Sequence, residues 1–183
     1  MGRPKSLVEL DGEPLLLRAL RVLRSGGCEP LLVVLGAAAE RVRPHVPADV
    51  TVVVEPGWAE GMGASLRAGL AALASLRPAP DAALIHLVDL PGVTERAVGR
   101  LAALSTPDVV ARAGYSGRPA HPVLIGRSHW PDVAATATGD AGARGYLAGH
   151  PALQLVECGD VAEPDDVDTP DQLARFHARR YPT

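Results

Sequence analysis

Apolar residues along the chain follow two patterns, short continuous runs and longer stretches with helical spacing. Residues 14–24 carry leucines at helical spacing behind a proline, and this pattern stops at a pair of glycines. Residues 31–35 form a continuous apolar run, which is typical of a strand covered on both faces. The same two patterns predict strands at 51–54, 82–88, 109–113, 122–125 and 153–157, and helices at 38–45, 64–76, 94–104, 141–149 and from Thr169 onward. Alternating strands and helices predict one α/β domain over residues 1–183.

Composition and charge narrow the function classes. The 183 residues are 47% hydrophobic but only 3% aromatic, which predicts aliphatic packing of helices on a sheet. A formal net charge of −3 gives no basic field, which argues against a nucleic-acid-binding surface. No apolar run approaches the roughly 18 residues of a membrane span, and the start has no signal-peptide pattern. Cys28 and Cys158 are isolated, which indicates reduced thiols in a cytoplasmic protein.

A glycine-rich turn lies between the second predicted strand and a helix. Residues 61–65 read Gly-Met-Gly-Ala-Ser, so that backbone N–H groups at the helix start are available to a phosphate or to the polar edge of a base. An ordinary loop that ends in a helix cap can have a similar sequence of glycines and serine. The turn by itself therefore leaves both interpretations open.

Asp89 ends the strand predicted at residues 82–88, and Pro91 then turns the chain away. Because open parallel sheets bind ligands beyond the carboxyl ends of their strands, a solvent-facing carboxylate at this point can hold Mg²⁺. The alternative is that Asp89 only caps the next turn. His86, inside the same predicted strand, is expected to be a hydrogen-bonded core residue rather than a ligand.

A second acidic cluster precedes the last predicted helix. Residues 165–171 contain four aspartates, and helix capping by Asp168 or Thr169 explains much of the pattern. Capping does not explain why Asp166 and Asp168 flank an apolar residue, which directs both carboxylates the same way. Together with Asp89 they form a predicted two-sided clamp for a metal ion.

Two basic side chains lie between the acidic segments. His121 precedes a proline, which favours extended backbone, and it is a candidate for contact with an acceptor substrate. Arg118 is a candidate for a phosphate contact. A histidine in this setting is also commonly structural, so both interpretations of His121 stay open.

Six segments in register resemble the molybdenum cofactor cytidylyltransferases. They are Met-Gly-x-Pro-Lys at the start, Gly-Met-Gly-x-Ser-Leu, the strand-ending Asp-x-Pro, His-Pro-Val-Leu, Gly-Asp-x-Gly-Ala-Arg and Asp-Val-Asp-Thr-Pro-x-x-Leu, and they span residues 1–176. The resemblance implies a Rossmann-like nucleotidyltransferase fold of three layers, with Mg²⁺ as cofactor. It also implies transfer of a nucleoside monophosphate from an NTP, with CTP the expected donor, to a phosphorylated acceptor such as molybdopterin. A client molybdoenzyme or maturation factor is the implied protein partner.

The resemblance further implies a role for individual residues. Lys5 neutralises the charge of the triphosphate and is catalytic together with Asp89, while Asp89 and Asp168 hold Mg²⁺. Binding of nucleotide or acceptor falls to Gly2, Lys5, Gly61, Gly63, Ser65, Arg118 and His121. These residue types suit the chemistry, because nucleotidyl transfer depends on positioning and charge neutralisation rather than on covalent help from the protein.

The start of the chain departs from the family pattern. In the family a strand and an Ala-Gly-rich loop come before the position of Met1, and that strand lies between the strands at 31–35 and 82–88. We expect this first strand and its glycine-rich loop to be missing from the chain, which leaves two strand edges unpaired. The 183-residue form is then expected to be unstable and to bind nucleotide weakly, and the natural protein to be longer.

A second departure concerns the acceptor. Pro119 and Ala120 precede His121, whereas the family usually has glycine directly before this histidine, so the acceptor is expected to differ from molybdopterin. The same sequence group includes nicotine blue oxidoreductase-like proteins, which makes NAD(P)H-dependent reduction the alternative function. A non-catalytic relative without the nucleotide loop is a third possibility.

Overall fold

The structure, a computed structural model, describes residues 4–180, without the side chain of Arg180. Gly2, predicted to bind nucleotide, lies outside these residues. The strands are β1 Glu9–Leu10, β2 Glu13–Pro14, β3 Leu32–Leu35, β4 Thr51–Val54, β5 Ala82–Ile85, β6 Val110–Tyr115, β7 Arg118–Gly126 and β8 Gln154–Glu157. The α-helices are α1 Leu15–Ser25, α2 Ala39–Val42, α3 Met62–Ser75, α4 Glu95–Ala102, α5 Trp130–Thr136, α6 Arg144–Leu147 and α7 Pro170–Arg180. No helix in this part of the chain is long and apolar enough to cross a membrane.

The main sheet has four strands in the order β5-β7-β6-β8. It is mixed, because β7 runs antiparallel to both β5 and β6, whereas β8 is parallel to β6. A separate parallel pair is formed by β3 and β4, and β1 and β2 form a short hairpin. The predicted α/β class is confirmed, and the sheet is mixed rather than purely parallel.

Helices cover both faces of the main sheet, which produces three layers. On one face, Val98 and Leu101 of α4 are buried against Ala111 of β6 and Leu124 of β7. On the other face, α3, α5 and α6 pack on the sheet through another apolar cluster. Strand β6 contributes to both apolar clusters, because successive side chains of a strand point to opposite faces of the sheet. The expected Rossmann-like three-layer arrangement is therefore confirmed.

A smaller apolar cluster joins the start of the chain to its end. Val8, Leu10 and Leu15 pack with Val167 and Phe176, and all five are buried. This contact places the 3₁₀ turn at Lys5–Leu7 beside the segment that leads into α7. Two segments far apart in sequence therefore meet at one end of the main sheet.

The main sheet and the β3–β4 pair are not hydrogen-bonded to each other. Within residues 4–180, no strand bonds to the edge of β3 opposite β4 or to the edge of β5 opposite β7. A cavity of about 180 Å³ runs along β3 and is lined in part by Leu16, Val34 and Val88. The additional strand expected between β3 and β5 stays a prediction.

Several elements differ from the sequence prediction. The strand predicted at 82–88 ends at Ile85, and the one predicted at 122–125 begins already at Arg118. The helix α5 was not predicted, because its seven residues are too few to reveal a helical period and one of them is a proline. Pro131 is tolerated because it lies in the first turn, where its missing N–H has no partner to lose.

Both cysteines are free thiols, as the sequence indicates. Cys158 is fully buried in the cluster around α4. Burial raises the pKa of Cys28 to about 11, so that its reactive thiolate is scarce at neutral pH.

The contact between α1 and α4 depends on a glycine. A Cβ atom at position 26 would lie 2.3 Å from Cγ1 of Val98, which is fully buried. Gly26→Ala should therefore lower the free energy of unfolding by about 1–3 kcal/mol, measured by urea denaturation, because an overpacked core has to shift. Gly99→Ala is the matched control. A Cβ at Gly99 meets nothing closer than 3.8 Å, so this helix substitution should be neutral or stabilising by about 0.5–1 kcal/mol. Equal stability of the two variants would contradict the packing argument.

Candidate active site

Three charged side chains meet beyond the end of β5. The ammonium nitrogen of Lys5 lies 3.0 Å from Oδ2 of Asp89 and donates a further hydrogen bond to Oδ1 of Asp168. The two carboxylates are 79 positions apart in sequence, yet they share one cation. The predicted nearness of Asp89 and Asp168 is thus present in the structure, and Lys5, which was expected to contact the triphosphate, lies between the two carboxylates.

Asp89 is positioned through its own backbone. Its carbonyl oxygen accepts a hydrogen bond of 2.9 Å from the N–H of Val167. The Val167 side chain is 1% exposed and packs with Val8 and Phe176, so this backbone contact is held by the apolar core. The sequence predicts a solvent-facing Asp89, but the side chain is only 23% exposed.

Asp168 is free to face Lys5 because its neighbour caps α7. The hydroxyl of Thr169 accepts a hydrogen bond from the N–H of Gln172, and the Gln172 side-chain oxygen accepts from the N–H groups of Thr169 and Asp168. This reciprocal pattern is a capping box. The choice left open by the sequence is settled, since Thr169 is the cap and the Asp168 carboxylate is not used for it.

Charge within the site favours a protonated Lys5. Partial burial acts to lower the pKa of Lys5, but hydrogen bonds to Asp168 and Asp89 outweigh it and raise that pKa above its ordinary value. The ammonium is therefore charged at neutral pH. One positive charge between two carboxylates leaves the cluster with an excess of negative charge, which favours binding of a further cation.

The cluster offers carboxylate oxygens, the type of ligand that a divalent cation takes. Oxygen Oδ1 of Asp89 is buried and has no hydrogen-bond partner, and a buried carboxylate oxygen without a partner is unfavourable unless a ligand binds it. Within the described residues, no group of three or more His, Cys, Asp or Glu side chains is gathered around a common point. Two carboxylates suffice for Mg²⁺, which commonly takes its remaining ligands from water and substrate phosphates.

The predicted clamp contains fewer carboxylates than expected. Lys5 contacts Asp168 but not Asp166, which is exposed. Asp165 instead forms an ion pair of 2.7 Å with Arg179 of α7. The four aspartates of residues 165–171 therefore have different surroundings, and Asp168 is the one that reaches the cluster.

Two histidines lie near Asp89. Nδ1 of His86 is buried without a partner, so the expectation of a hydrogen-bonded core histidine is wrong at this nitrogen. Burial lowers the pKa of His86 to about 4, and the nearby His121 adds to this while Asp89 opposes it. His121 lies in β7, extended as predicted, with Nδ1 3.4 Å from the carbonyl oxygen of Ile85.

The glycine-rich turn packs against another loop rather than against the Lys5 cluster. A Cβ at Gly61 would lie 2.5 Å from the carbonyl carbon of Gly139, and one at Gly63 would lie 2.8 Å from the carbonyl oxygen of Ala137. Gly61 also has a φ of +108°, which side chains rarely adopt. Ser65 lies one turn into α3 and is partly buried. These residues form a wall beside residues 137–140.

Arg118 is not brought to the cluster. It is exposed and pairs in register with Tyr115 beside the turn of the β6–β7 hairpin. The carboxylate of Glu157 holds this turn by accepting hydrogen bonds from the N–H groups of Ser116 and Gly117. Sequence reasoning missed another arginine, Arg112, whose signal is a single charged residue inside the apolar strand β6.

A further cavity, of about 340 Å³, is separate from this cluster. It is lined by Gly92, Thr94, Arg96, Gly159, Asp160, Val161, Ala162, Glu163, Phe176 and Arg179. None of the predicted site residues lines it.

Residues 1–155 match the family described as MobA-like NTP transferase domain. The chain belongs to this family. It is 37% identical to the nicotine blue oxidoreductase of Paenarthrobacter nicotinovorans over 96% of this chain and 89% of that protein. The match extends beyond the family region into the segment that carries Asp168.

Solved structures have the same fold. Rv0371c from Mycobacterium tuberculosis H37Rv superposes with a TM-score of 0.79 at 28% identity, over 97% of this chain and 90% of that one. A manganese complex of the same protein has a TM-score of 0.74 at 28% identity, over 96% and 92% of the two chains. A nucleotidyl transferase from Methanothermobacter thermautotroptrophicus, with a TM-score of 0.79, 20% identity and coverage of 96% of this chain and 84% of that one, supports the fold alone.

Divalent-cation binding should depend on the two clustered carboxylates. Asp89→Asn and Asp168→Asn should each weaken Mn²⁺ binding by about tenfold or more, because each removes an anionic oxygen ligand. Electron paramagnetic resonance of free Mn²⁺ measures this directly. Asp166→Asn is the matched control, since it removes one charge from the same segment without touching Lys5. An equal loss in Asp166→Asn would refute the assignment.

The buried His86 should make stability depend on pH. The histidine pKa is about 6.5 in the unfolded chain and about 4 in the folded protein, so between these values the unfolded state binds more protons. The free energy of unfolding should therefore rise with pH from about 4 to 6.5, and His86→Phe should flatten this rise. Urea denaturation at several pH values tests it, with His45→Phe at an exposed position as control. An unchanged slope in His86→Phe would count against the burial argument.

Proposed function

We propose that this protein transfers a nucleoside monophosphate from a nucleoside triphosphate, with CTP the expected donor, to the phosphate of a small acceptor. The observation that carries the proposal is the ammonium of Lys5 between Asp89 and Asp168, together with the buried, unpartnered oxygen of Asp89. This arrangement offers cation ligands and a positive charge at one place. A reacting triphosphate requires both.

The bond changes need little covalent help from the protein. An oxygen of the acceptor phosphate bonds to the α-phosphorus, and the bond from that phosphorus to the bridging β-oxygen breaks. Pyrophosphate leaves with the electron pair of the broken bond. A phosphate dianion supplies its own nucleophilic oxygen, so no side chain has to remove a proton. The protein contributes positioning and charge neutralisation.

Named residues supply these contributions. Lys5 stays charged at neutral pH because its pKa is raised, and its ammonium neutralises triphosphate oxygens beside Asp89. Asp89 and Asp168 would hold Mg²⁺, which when bound neutralises phosphate charge. The buried backbone contact between Asp89 and Val167 keeps the carboxylates together without substrate. We assign Gly61, Gly63 and Ser65 to the wall of the binding site.

Further parts of the proposal follow from the family. Molybdopterin is the reference acceptor, but Pro119 and Ala120 in front of His121 favour a different phosphorylated compound. A cytoplasmic location and a client molybdoenzyme or maturation factor complete the proposal.

A second candidate is NAD(P)H-dependent reduction, favoured by the 37% identity to the nicotine blue oxidoreductase of Paenarthrobacter nicotinovorans. Hydride transfer has no evident use for two carboxylates that share a cation. The Lys5 cluster therefore ranks nucleotidyl transfer first.

Calorimetric titration should separate the candidates. CTP should bind only with Mg²⁺ present, NADH should not bind, and Asp89→Asn should lower any nucleotidyl transfer by about 10²–10³-fold, because charge stabilisation at the reacting phosphate is lost. Asp166→Asn should leave nucleotide binding unchanged. Binding of NADH without binding of CTP, or CTP binding that needs neither metal nor Asp89, would overturn the proposal.

A further inference from the structure

One face of the main sheet changes from apolar to cationic along β6. Val110 pairs with Ile125, and Arg112 pairs with Val123 one step further along the ladder. Val110, Val123 and Ile125 belong to the cluster beneath α3, α5 and α6. Because side chains two residues apart on a strand share a face, Arg112 lies at the margin of this apolar layer.

Arg112 is anchored at one end only. Its Nε donates a hydrogen bond of 3.2 Å to the carbonyl oxygen of Ala120, the residue before His121. In the described part of the chain, its two terminal nitrogens have no acceptor, and no carboxylate pairs with it. A partly buried guanidinium held through Nε presents its other two nitrogens as a fixed fork, the geometry that binds a phosphate bidentately.

A second arginine lies on the same side of the sheet. Arg144 begins α6, and this helix packs on the layer through the buried Leu147 and through Tyr146. Burial lowers the pKa of Arg112, and the charge of Arg144 lowers it further, so the two guanidinium groups repel each other. Neither forms an ion pair with a carboxylate among residues 4–180. Arg144 is exposed, so solvent screens part of its charge, and an anion bound beside the partly buried Arg112 would offset the repulsion that remains.

His121 connects this pair to the Lys5 cluster. Burial lowers the pKa of His121, Arg112 and Arg144 lower it further, and the carboxylate of Asp89 opposes them. The ring therefore lies within electrostatic reach of both arginines and of Asp89. An anion bound by Arg112 would lie close to His121, because Arg112 is hydrogen-bonded to the residue before it.

We propose that Arg112 and Arg144 form the binding site for the phosphate monoester of the acceptor, next to the site at which the triphosphate reacts. The assignment rests on the proposed function. It places the nucleophilic phosphate at the arginine pair and the leaving pyrophosphate at Lys5. Arg118, the candidate suggested by sequence, has no part in it.

Inorganic phosphate is the probe for this site. Thermal unfolding is measured in sodium phosphate and in sodium chloride of equal ionic strength, for the full chain and for Arg112→Gln, Arg144→Gln, Arg118→Gln and Arg41→Gln. Phosphate should raise the Tm of the parent protein, and the first two variants should bind phosphate about tenfold more weakly or worse. Arg118→Gln and Arg41→Gln, which remove exposed charges elsewhere, should keep the full shift. No shift in the parent, or a full shift in Arg112→Gln, would overturn the proposal.

Titration with CTP and Mg²⁺ separates this inference from the proposed function. If Arg112→Gln binds the nucleotide as the parent does, the arginine pair serves the acceptor, as proposed. If Arg112→Gln loses nucleotide binding, the pair serves the triphosphate and the acceptor assignment is wrong. If the parent binds no nucleotide but phosphate still stabilises it through both arginines, the anion site stands and the transferase proposal fails.

Discussion

The hydrogen bond from the N–H of Val167 to the carbonyl of Asp89 organises the site, because it fixes the segment before α7 against the end of β5. This hydrogen bond is shielded from solvent by the apolar residues around it. Val167 is 1% exposed, and the apolar cluster around it includes Val8, close to Lys5. Charges of like sign would otherwise separate Asp89 from Asp168. Apolar packing and the shared Lys5 ammonium thus hold the two carboxylates close together.

The candidate site has two regions of opposite charge. The Lys5 cluster has an excess of negative charge, whereas Arg112 and Arg144 form a positive region without a paired carboxylate in the described residues. His121 is influenced by the charges of both regions, and because burial lowers its pKa it is largely neutral at physiological pH and adds little to either field. A site that has to hold two anionic reactants side by side needs separate neutralisation of each. The arginine region would neutralise one reactant, and the Lys5 cluster would neutralise the other once its carboxylates hold a divalent cation.

Much of the fold was predictable because local patterns dictate it. The leucines of α1 and the apolar run of β3 specify their elements without tertiary information. The sequence also pointed to Lys5, Asp89 and Asp168, because each lies in a short motif at a strand or helix terminus; the structure brings them together, and their roles stay predictions. The mixed direction of β7 was not readable, since hydrophobic alternation is the same for parallel and antiparallel neighbours.

The remaining errors have a different physical origin. Arg112 became meaningful only through its bond to Ala120 and the nearness of Arg144, contacts across strand pairs and layers that no linear motif encodes. The lack of a hydrogen-bond partner at Nδ1 of His86 is likewise a property of packing, and the apolar sequence around His86 does not reveal it. The cap of α7, which the sequence left open between Asp168 and Thr169, is Thr169 because Gln172 completes the hydrogen-bond exchange, a detail of side-chain geometry.

The tight contact of α3 with residues 137–140 limits how proteins of this shape can diverge. At Gly61 and Gly63 even one additional carbon would collide with backbone atoms, which cannot move aside as a flexible side chain does. This wall therefore cannot be reshaped by single substitutions. New ligand preferences are therefore expected to arise from changes at other side chains, such as Arg112 and His121 on the strands of the main sheet. A common scaffold can in this way carry different chemistries while one boundary of its pocket stays constant.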